Sequence, residues 1–379
     1  MDLEDESDPG LAGLSPEFQA MLGGLSGHMA SFSKLLEQRT LPKEQAKDKD
    51  DEVYLDSYAD LGIHEDMLKD TARVEAYRIA IEHCARSWEG REVTVIDVGA
   101  GTGLLSILCA RQATHVQVHA IEASRLAHFL RQIVETNFGG FDTKQAVHVH
   151  ECLAEDFQLS DGQKADVIVS EWMGYCLLYE NMLPSVLSVR DRYLKKGGVM
   201  LPSRCRLLMA PIQDSWREEK LGFWNSVCGI DMSALVPLAT ATFCSVPQHR
   251  LVNSAVLLGD AIEIAHLDLQ TVKCEDLDRF QTDVAFTLPA GTRLDGMVTW
   301  FECEFGDAGW QLSTSPLKPA THWKQTVFYF RDPVEAGGGV SISGRMMLER
   351  HNEFSRGYRA TFELKIPGRK PRMEVFELR

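Results

Sequence analysis

The chain has 379 residues, 44% of them apolar and 25% charged, a composition that is ordinary for a globular protein with room for two packed domains. The net charge of −16 argues against a groove that binds nucleic acid by neutralising phosphates, and it favours cationic partners. No apolar run approaches the roughly 18 residues that a membrane helix needs, and the acidic start MDLEDESDPG is unlike a secretory leader. We therefore expect a protein inside the cell that binds neither nucleic acid directly nor a membrane.

Nine cysteines are scattered along the chain without a CxxC pair. Disulfide frameworks and zinc clusters need tighter spacings than these. We therefore expect reduced, mostly buried thiols, which agrees with a cytosolic or nuclear location.

Residues 1–50 are predicted to be an acidic, polar tail outside the folded region. The segment LPKEQAKDKDDE is dense in charge and shows no core pattern. Apolar residues recur at helical spacing from Phe18 to Leu36, although Gly23, Gly24 and Gly27 weaken that stripe. Two interpretations stay open, a disordered tail and a helix that forms on a partner.

Between residues 51 and 202, predicted strands alternate with predicted helices. The strands are VTVIDV, VQVHAI, VHVH, DVIVS and VMLP, and the helices cover 64–81, 125–137, 182–194 and a segment from Leu104. Such alternation indicates a parallel sheet with helices on both faces, whose ligands bind beyond the carboxyl ends of the strands. We expect residues 51–202 to form a Rossmann-like α/β domain.

After Pro202 the pattern changes to short strand-like runs with few helices. The runs cover 205–212, 254–259, 282–288, 296–305 and 326–330. They predict an antiparallel barrel or sandwich over residues 203–379. A more helical insert at about 213–240 carries three aromatic residues, Trp216, Phe223 and Trp224.

The segment VIDVGAGTGLLS places a glycine loop between the first strand and the helix that follows it. Gly99, Gly101 and Gly103 allow a tight turn and a close approach of the backbone to a ligand. The GxGxG spacing differs from the GxGxxG of dinucleotide enzymes, the acid Asp97 precedes the loop, and no basic residue is placed for a pyrophosphate. These details favour a methyltransferase over a dehydrogenase.

Two further acids extend this predicted site. Glu122 ends the next strand, about twenty residues on, where a carboxylate can accept hydrogen bonds from ribose hydroxyls. Glu155 follows the third strand and could accept from an adenine amine. An acidic rim suits S-adenosylmethionine, whose adenosine donates hydrogen bonds and whose sulfonium is positive. The alternative, in which Asp97 and Glu122 are ordinary loop acids, stays open.

The segment SEWMGYCLLYE is predicted to bring two glutamates together. Glu171 lies just past the fourth strand, Glu180 follows nine residues later, and Gly174 permits a sharp reversal between them. Two unpaired carboxylates held close would repel each other, whereas a guanidinium with its five donors satisfies both. The hairpin therefore predicts a site for an arginine side chain. A surface loop with two unrelated glutamates is the alternative.

From about Tyr54 to the C-terminus, the sequence resembles the protein arginine methyltransferase family. The resemblance is carried by YLDSYADLGIHEDMLKDTAR, VIDVGAGTG, AIEAS, SEWMGYCLLYE and THWKQ. It implies a seven-strand Rossmann-like methyltransferase domain, an antiparallel β-barrel substrate domain and a dimerisation arm at about 213–240, hence a homodimer. It also implies S-adenosyl-L-methionine as cofactor and protein arginines as substrates, with no metal required.

The resemblance also implies roles for individual residues. Glu171 and Glu180 match the pair that holds the substrate guanidinium, and Asp70 and His322 match a hydrogen-bonded catalytic pair. The residues that match cofactor contacts are Tyr58, His64, Met67, Arg73, Asp97, Gly99, Gly101, Glu122 and Glu155. Those that match substrate contacts are Tyr54, Met182 and Trp323. A helix-end role for His64 and a plain core role for Met67 and Met182 stay open as alternatives.

Within this family, enzymes that make symmetric dimethylarginine carry phenylalanine at the position of Met67 and lack the Thr321-His322-Trp323 motif. The chain therefore resembles the type I class, which makes monomethyl- and asymmetric dimethylarginine. We expect histone tails and Gly-Arg-rich segments among the substrates, and the nucleus, or alternatively the cytoplasm, as the location. A small-molecule methyltransferase and a catalytically silent scaffold are the open alternatives.

Overall fold

The computed structural model describes residues 49–58, 60–138 and 146–379, so the predicted apolar stripe of the tail lies outside the described residues. The helices are α1 Lys49–Ser57, α2 Leu61–Lys69, α3 Thr71–Ala85, α4 Leu104–Ala110, α5 Leu126–Phe138, α6 Leu183–Tyr193, α7 Trp216–Gly222 and α8 Val236–Phe243. The first strands are β1 Val93–Val98, β2 Val116–Ile121, β3 Ala146–His150, β4 Ala165–Val169 and β5 Leu194–Leu201. The later strands are β6 Arg204–Ile212, β7 Gln248–Arg250, β8 Ile262–Asp268, β9 Arg279–Leu288, β10 Thr292–Glu304, β11 Trp310–Ser313, β12 Gln325–Ala336, β13 Val340–Arg350, β14 Tyr358–Lys365 and β15 Arg372–Leu378.

The first five strands form a parallel sheet in the order β3-β2-β1-β4-β5. Asp97 near the end of β1 lies opposite Ala120 of β2 and Val169 of β4, so the loops after these strands meet at one edge. This arrangement confirms the predicted Rossmann-like sheet and places a switch in strand order beside β1, where such folds bind ligands. The described residues give it five strands rather than the predicted seven, because after β5 the chain enters an antiparallel region.

The N-terminal helical region breaks at Asp70, where the sequence predicted one helix over 64–81. Asp70 has φ −70° and ψ 90°, which ends α2, and its carboxylate accepts a hydrogen bond from the amide of Arg73 at the start of α3. An aspartate that caps a helix in this way stabilises a new helix start at the expense of continuing the old one. Two helices therefore replace the single predicted one.

The remaining strands form two antiparallel sheets, which confirms the predicted barrel-like architecture. One has the order β7-β12-β10-β6-β8, with β11 pairing with β10, and the other has the order β15-β14-β13-β9. The predicted strand at 254–259 was wrong. Residues Ser254–Val256 form a 3₁₀ turn instead, because the side chain of Asn253 accepts a hydrogen bond from the amide of Ala255 and caps the turn.

All nine cysteines are free thiols, and five of them are buried. Within the described residues, no helix combines the length and the apolar character needed to cross a bilayer.

Candidate cofactor and substrate site

The loop between β1 and α4 is a tight turn whose conformation and surroundings require glycine. Gly99, Gly101 and Gly103 all have positive φ, of 73°, 55° and 83°. A Cβ added to Gly99 would lie 2.3 Å from Cε of Met182, and one added to Gly103 would lie 2.1 Å from Cδ1 of Leu130. The bare backbone of this loop therefore forms part of a cavity wall that larger residues would fill or deform.

Glu122 holds this loop in place. Its Oε2 accepts a hydrogen bond of 2.7 Å from the amide of Gly101, and its Oε1 accepts one of 2.7 Å from the amide of Ser124. Each carboxylate oxygen has two acceptor sites, so both keep capacity for a ligand donor. Because Glu122 also lines the cavity, it can fix the loop and accept from a bound ligand at the same time.

Asp97 lies behind the loop rather than in the wall of the cavity. Its Oδ2 accepts a hydrogen bond of 2.7 Å from the hydroxyl of Ser106, while its buried Oδ1 has no partner in the described part of the chain. Burial raises the pKa of this carboxyl to about 7, against the opposing effect of the Ser106 hydrogen bond. An unpaired buried acceptor of this kind is unfavourable for stability.

The cavity at the end of β1 contains about 1100 Å³ of atom-free space, part of which is open to solvent. The predicted site residues that line it are Tyr54, Tyr58, His64, Met67, Arg73, Gly99, Gly101, Glu122, Glu155, Glu171, Glu180 and Met182. Four predicted residues, Asp70, Asp97, His322 and Trp323, are not in its wall.

The segment from Ser170 to Asn181 forms a compact hairpin in which the predicted reversal occurs at Gly174. The amide of Gly174 donates a hydrogen bond of 3.1 Å to the carbonyl of Leu177, and a Cβ on Gly174 would lie 1.8 Å from the carbonyl oxygen of Tyr179. Glu180 itself has a left-handed backbone, with φ of 78°. Non-glycine residues adopt this conformation at a cost of about 1–3 kcal/mol, and it persists only where the surroundings fix it.

Both glutamates of the hairpin already have partners. Arg73 Nε donates a hydrogen bond of 3.0 Å to Oε2 of Glu171, and Arg73 Nη1 donates one of 3.2 Å to the carbonyl of Met67. The hydroxyl of Tyr58 donates a hydrogen bond of 2.6 Å to Oε2 of Glu180. Each carboxylate is thereby oriented at the cavity wall before any ligand arrives.

The environment of Glu180 makes its charge sensitive to pH near neutrality. Burial and, to a lesser extent, the charge of Glu171 raise its pKa to about 7, against the opposing effects of the hydrogen bond from Tyr58 and the charge of Arg356. In the ionised form Glu180 is a strong acceptor for a cation; in the protonated form it is not.

The predicted pair of Asp70 and His322 forms, but neither residue is among those that line the cavity. Oδ2 of Asp70 lies 2.8 Å from Nδ1 of His322 and accepts a hydrogen bond of 2.8 Å from its amide. Burial raises the pKa of Asp70, but hydrogen bonds from His322 and from the amide of Arg73 outweigh it, so this pKa lies below its ordinary value. The pair therefore fixes the start of α3, from which Arg73 reaches Glu171.

The predicted substrate residue Trp323 does not line the cavity, and its contact with a substrate stays a prediction. Its side chain is buried, its Nε1 donates a hydrogen bond of 2.7 Å to the carbonyl of Met173, and its ring packs edge-on against Phe301. Trp323 thus supports the glutamate hairpin from the barrel side and does not line the cavity.

Ser185 and Arg356 are among the cavity residues that the sequence did not predict, and both bond to predicted site residues. Ser185 lies at the start of α6, and its hydroxyl donates a hydrogen bond of 2.8 Å to Oε1 of Glu155. Arg356 lies between β13 and β14, and its Nη1 donates a hydrogen bond of 2.7 Å to the carbonyl of Glu180. Nothing in the local sequence around Arg356 signals this contact, since the two residues are 176 positions apart.

Comparisons with known proteins agree with this geometry. A family model described as the arginine methyltransferase oligomerization subdomain matches residues 203–369, and one described as a methyltransferase domain matches residues 89–243. A probable protein arginine N-methyltransferase 6.1 from Oryza sativa subsp. japonica is 40% identical over 334 residues, which cover 81% of this chain and 83% of that protein. This chain belongs to the protein arginine N-methyltransferase family.

Other relatives and solved structures support the same assignment. The protein arginine N-methyltransferase 6 of Xenopus laevis is 36% identical over 343 residues, which cover 89% of this chain and 98% of that protein. A Trypanosoma brucei PRMT1 enzyme–prozyme heterotetrameric complex with AdoHcy matches with a TM-score of 0.74 and 31% identity, covering 85% of this chain and all of that one. A crystal structure of PRMT6-SAH matches with a TM-score of 0.63 and 28% identity, covering 81% and 100%.

S-adenosylmethionine is the cofactor of this methyltransferase, and the charges of the cavity suit it. Four glutamates line the wall, against two arginines, which favours a ligand that carries a sulfonium cation. Glu122 and Glu155 offer acceptors, and the bare glycine loop allows close backbone approach. The residues present therefore fit the cofactor.

We predict that methylation by this arginine methyltransferase falls as the pH drops below about 7. Glu180 takes up a proton through its pKa of about 7 and then no longer attracts a cation, so kcat/KM for an arginine peptide should fall about tenfold per pH unit on the acid side. Tyr58→Phe removes a hydrogen bond that favours the ionised carboxylate, so the pKa of Glu180 should rise. The acid limb of the plot of kcat/KM against pH should then move to higher pH.

The control for this pH profile is Tyr193→Phe, which removes a hydroxyl that donates to the carbonyl of Phe157 away from the cavity. That variant should keep the wild-type limb. An unchanged limb in Tyr58→Phe, or one moved to lower pH, would show that Glu180 does not control the profile.

Proposed function

We propose that this arginine methyltransferase is a type I enzyme that forms monomethyl- and then asymmetric dimethylarginine on protein substrates. The supporting observation is the pair of half-buried glutamates, Glu171 and Glu180, held by separate partners at the wall of the cofactor cavity. Incubation with labelled S-adenosylmethionine and either histones or a Gly-Arg-rich peptide tests the proposal. A small-molecule methyltransferase or a silent scaffold would leave protein arginine unlabelled.

S-adenosylmethionine, when bound, supplies an electrophilic methyl group on its sulfonium. Glu122 would accept from the ribose hydroxyls, Glu155 from the adenine amine, and Arg73 would pair with the methionyl carboxylate. Arg73 also donates a hydrogen bond to Glu171. The residue that would pair with the cofactor carboxylate therefore also orients one of the two acceptors for the substrate guanidinium.

The substrate arginine arrives as a cation, because its pKa is above about 12 and its lone pairs are delocalised. Glu171 and Glu180 would accept hydrogen bonds from its guanidinium and draw positive charge toward the bonded nitrogens. The nitrogen aimed at the methyl group then keeps more electron density and becomes the better nucleophile. Most of the acceleration would come from this positioning and from electrostatic preorganisation.

The proton released on methylation needs an acceptor near neutral pH. Glu180 suits this role, since burial raises its pKa to about 7 and it lines the cavity. Asp70 and His322 are not among the residues that line the cavity, and Asp70 caps the start of α3, which carries Arg73. We assign proton acceptance to Glu180 and a positioning role to the Asp70–His322 pair.

Replacing Glu171 or Glu180 by glutamine should nearly abolish methylation while the fold remains. Glutamine keeps the size of the side chain, but its amide donor faces the donors of the guanidinium. Charge-assisted hydrogen bonds contribute roughly 1.5–3 kcal/mol each, so losing two should slow turnover by about 100-fold or more. Turnover on a peptide and cofactor affinity by calorimetry should be measured for each variant.

Cofactor affinity should change much less than turnover in Glu180→Gln, and somewhat more in Glu171→Gln because Arg73 loses its charged partner. Glu89→Gln, at an exposed position outside the cavity, is the matched control. Either hairpin variant retaining more than about half of wild-type turnover would contradict the assigned role.

The proposed product rests on Met67, which lines the cavity and is nearly buried. A flexible thioether should leave space for a second methyl group on a nitrogen that is already methylated. Exhaustive methylation of histone and Gly-Arg-rich peptides should therefore give asymmetric dimethylarginine in neutral-loss mass spectrometry. Predominantly symmetric product would overturn the type I proposal.

We also propose a homodimer formed by the insert at about 213–240. Apolar side chains in it stay exposed, including Phe223 at 56%, Ile230 at 59% and Leu238 at 66%. Trp216 is only partly exposed, because it packs against Phe243 and Tyr329, so it anchors the insert rather than extending this patch. A cluster of exposed apolar residues on one segment is typical of an association surface.

Leu238→Glu should convert the dimer to monomers with reduced activity, because it places a charge in the proposed interface. Leu317→Glu is the matched control, since Leu317 is also exposed, at 69%, but lies outside the insert. Sedimentation at micromolar concentration should show a dimer for the wild type and for Leu317→Glu. A wild-type monomer would contradict the proposal.

Histone tails and Gly-Arg-rich segments are the proposed substrates, and the nucleus is the proposed location, with the cytoplasm as the alternative. The support is chemical: the chain carries a net charge of −16, and its cavity wall is rich in glutamates, so basic segments are attracted to it. Imaging of the tagged full-length protein tests the location, and exclusion from the nucleus would contradict it.

A further inference from the structure

Arg356 connects three parts of the molecule at the cavity. It lies in the 351–357 connection between β13 and β14, and it lines the cavity with only about a fifth of its side chain exposed. Its contacts reach the glutamate hairpin on one side and α1 on the other.

The first set of contacts holds the backbone of Glu180. The amide of Glu180 donates a hydrogen bond of 3.0 Å to the carbonyl of Arg356, and Nη1 of Arg356 donates one of 2.7 Å to the carbonyl of Glu180. The next residue adds a third link, since Nδ2 of Asn181 donates a hydrogen bond of 2.8 Å to the carbonyl of Ser355. These bonds fix Glu180 in its left-handed conformation, with φ of 78°.

The second set of contacts holds α1. Nε and Nη2 of Arg356 lie 2.9 Å and 2.6 Å from Oδ1 of Asp51, and its guanidinium carbon lies 3.8 Å from the centre of the Tyr54 ring. A planar guanidinium can make such a forked contact and a ring contact together, which an ammonium cannot.

Helix α1 depends on contacts of this kind. It has nine residues, too few for a stable helix in isolation, and it contributes Tyr54 and Leu55 to the cavity wall. Just beyond its end, Tyr58 donates to the carboxylate of Glu180. Helix α1 therefore borders the cofactor cavity and leads directly to Tyr58, the hydrogen-bond partner of the Glu180 carboxylate.

The connection that carries Arg356 is itself well fixed. Nδ1 of the buried His351 accepts hydrogen bonds from the amides of Glu353 and Phe354, at 3.0 Å and 3.2 Å. A Cβ on Gly357 would lie 2.7 Å from the carbonyl oxygen of Leu378, so the backbone packs tightly against β15. Arg356 is thus presented from a rigid part of the barrel.

We propose that Arg356 is a positioning residue that couples the docking of α1 over the cofactor cavity to the orientation of Glu180. The proposal deepens the proposed function and rests on it for the role of Glu180. When α1 is docked, Asp51 and Tyr54 hold the guanidinium in the orientation that bonds the Glu180 carbonyl. When α1 is released, that orientation is no longer fixed, and Glu180 loses both the Arg356 contact and Tyr58.

The test compares Arg356→Gln, Arg356→Lys, Asp51→Asn and the control Arg359→Gln in the full-length protein. Arg359 lies three residues further on, is exposed, and pairs with Glu377. For each variant, hydrogen exchange of peptides covering 49–58, the affinity for S-adenosylhomocysteine, and kcat and KM on an arginine peptide are measured, with circular dichroism to verify folding.

Arg356→Gln should lower kcat by about 10-fold to 100-fold, weaken S-adenosylhomocysteine and speed exchange at 49–58, since it loses the side-chain contacts to Asp51, to Tyr54 and to the Glu180 carbonyl. Asp51→Asn keeps the guanidinium but weakens the contact that orients it, so it should speed exchange and weaken the ligand with a smaller loss of kcat. Arg356→Lys keeps the charge but not the fork, so it should resemble Arg356→Gln. A role through charge alone predicts instead that lysine restores activity, and that result would overturn the proposal.

Other results would also overturn it. Arg356→Gln could keep kcat within twofold of Arg359→Gln, or it could lose kcat with wild-type exchange at 49–58, which would mean that α1 and Glu180 are not coupled. If Arg356→Gln does not fold, Asp51→Asn with wild-type exchange and affinity overturns it equally. If the wild type fails to methylate arginine, the proposed function fails, while exchange and S-adenosylhomocysteine affinity still decide whether Arg356 holds α1.

Discussion

Two half-buried carboxylates at the wall of one cavity repel each other and lose part of their hydration, and much of the architecture around the site provides partners for them. Arg73 from α3 pairs with Glu171, and Tyr58 beyond α1 donates to Glu180. In a medium of low dielectric constant, the pKa of an unpaired carboxyl rises until the group takes up a proton and becomes neutral. The pKa of Glu180, at about 7, has already shifted in this direction. A cationic ligand would favour the ionised form of Glu180 and would be attracted by both carboxylates.

The backbone that carries these carboxylates is strained, so it has to be fixed at several points. The hydroxyl of Tyr77 donates to the carbonyl of Ser170, and the indole of Trp323 donates to the carbonyl of Met173. Contacts from α3 and from the barrel thus fix the first arm of the hairpin, and the 351–357 connection fixes its second arm at Glu180. The barrel therefore contributes to the geometry of a site whose cofactor loop belongs entirely to the parallel sheet.

The parallel sheet could be predicted from the sequence because its strands are continuous apolar runs separated by clear turn signals. The glycine loop and both hairpin glutamates were likewise recognisable, because the residues that define each of them are close together in the sequence. The helix break at Asp70 and the 3₁₀ turn at Asn253 were not recognisable. Each depends on one side chain that caps the backbone amides following it. Arg356 was missed for a stronger reason: its partners Asp51 and Glu180 are distant in sequence, and only the fold brings them together.

The same geometry gives a physical reason for selecting arginine over lysine. Glu171 and Glu180 stand on opposite arms of a hairpin, and each is oriented by its own donor, so neither can turn freely to follow a ligand. An ammonium places three donors on one atom at the end of a flexible stem and gains little from two fixed acceptors. A guanidinium spreads five donors over a plane, so it can bond two carboxylates while a third nitrogen stays available for reaction. Rigid, separately held acceptors therefore suit a planar cation, and the contacts that orient Glu171 and Glu180 before binding contribute to that selectivity.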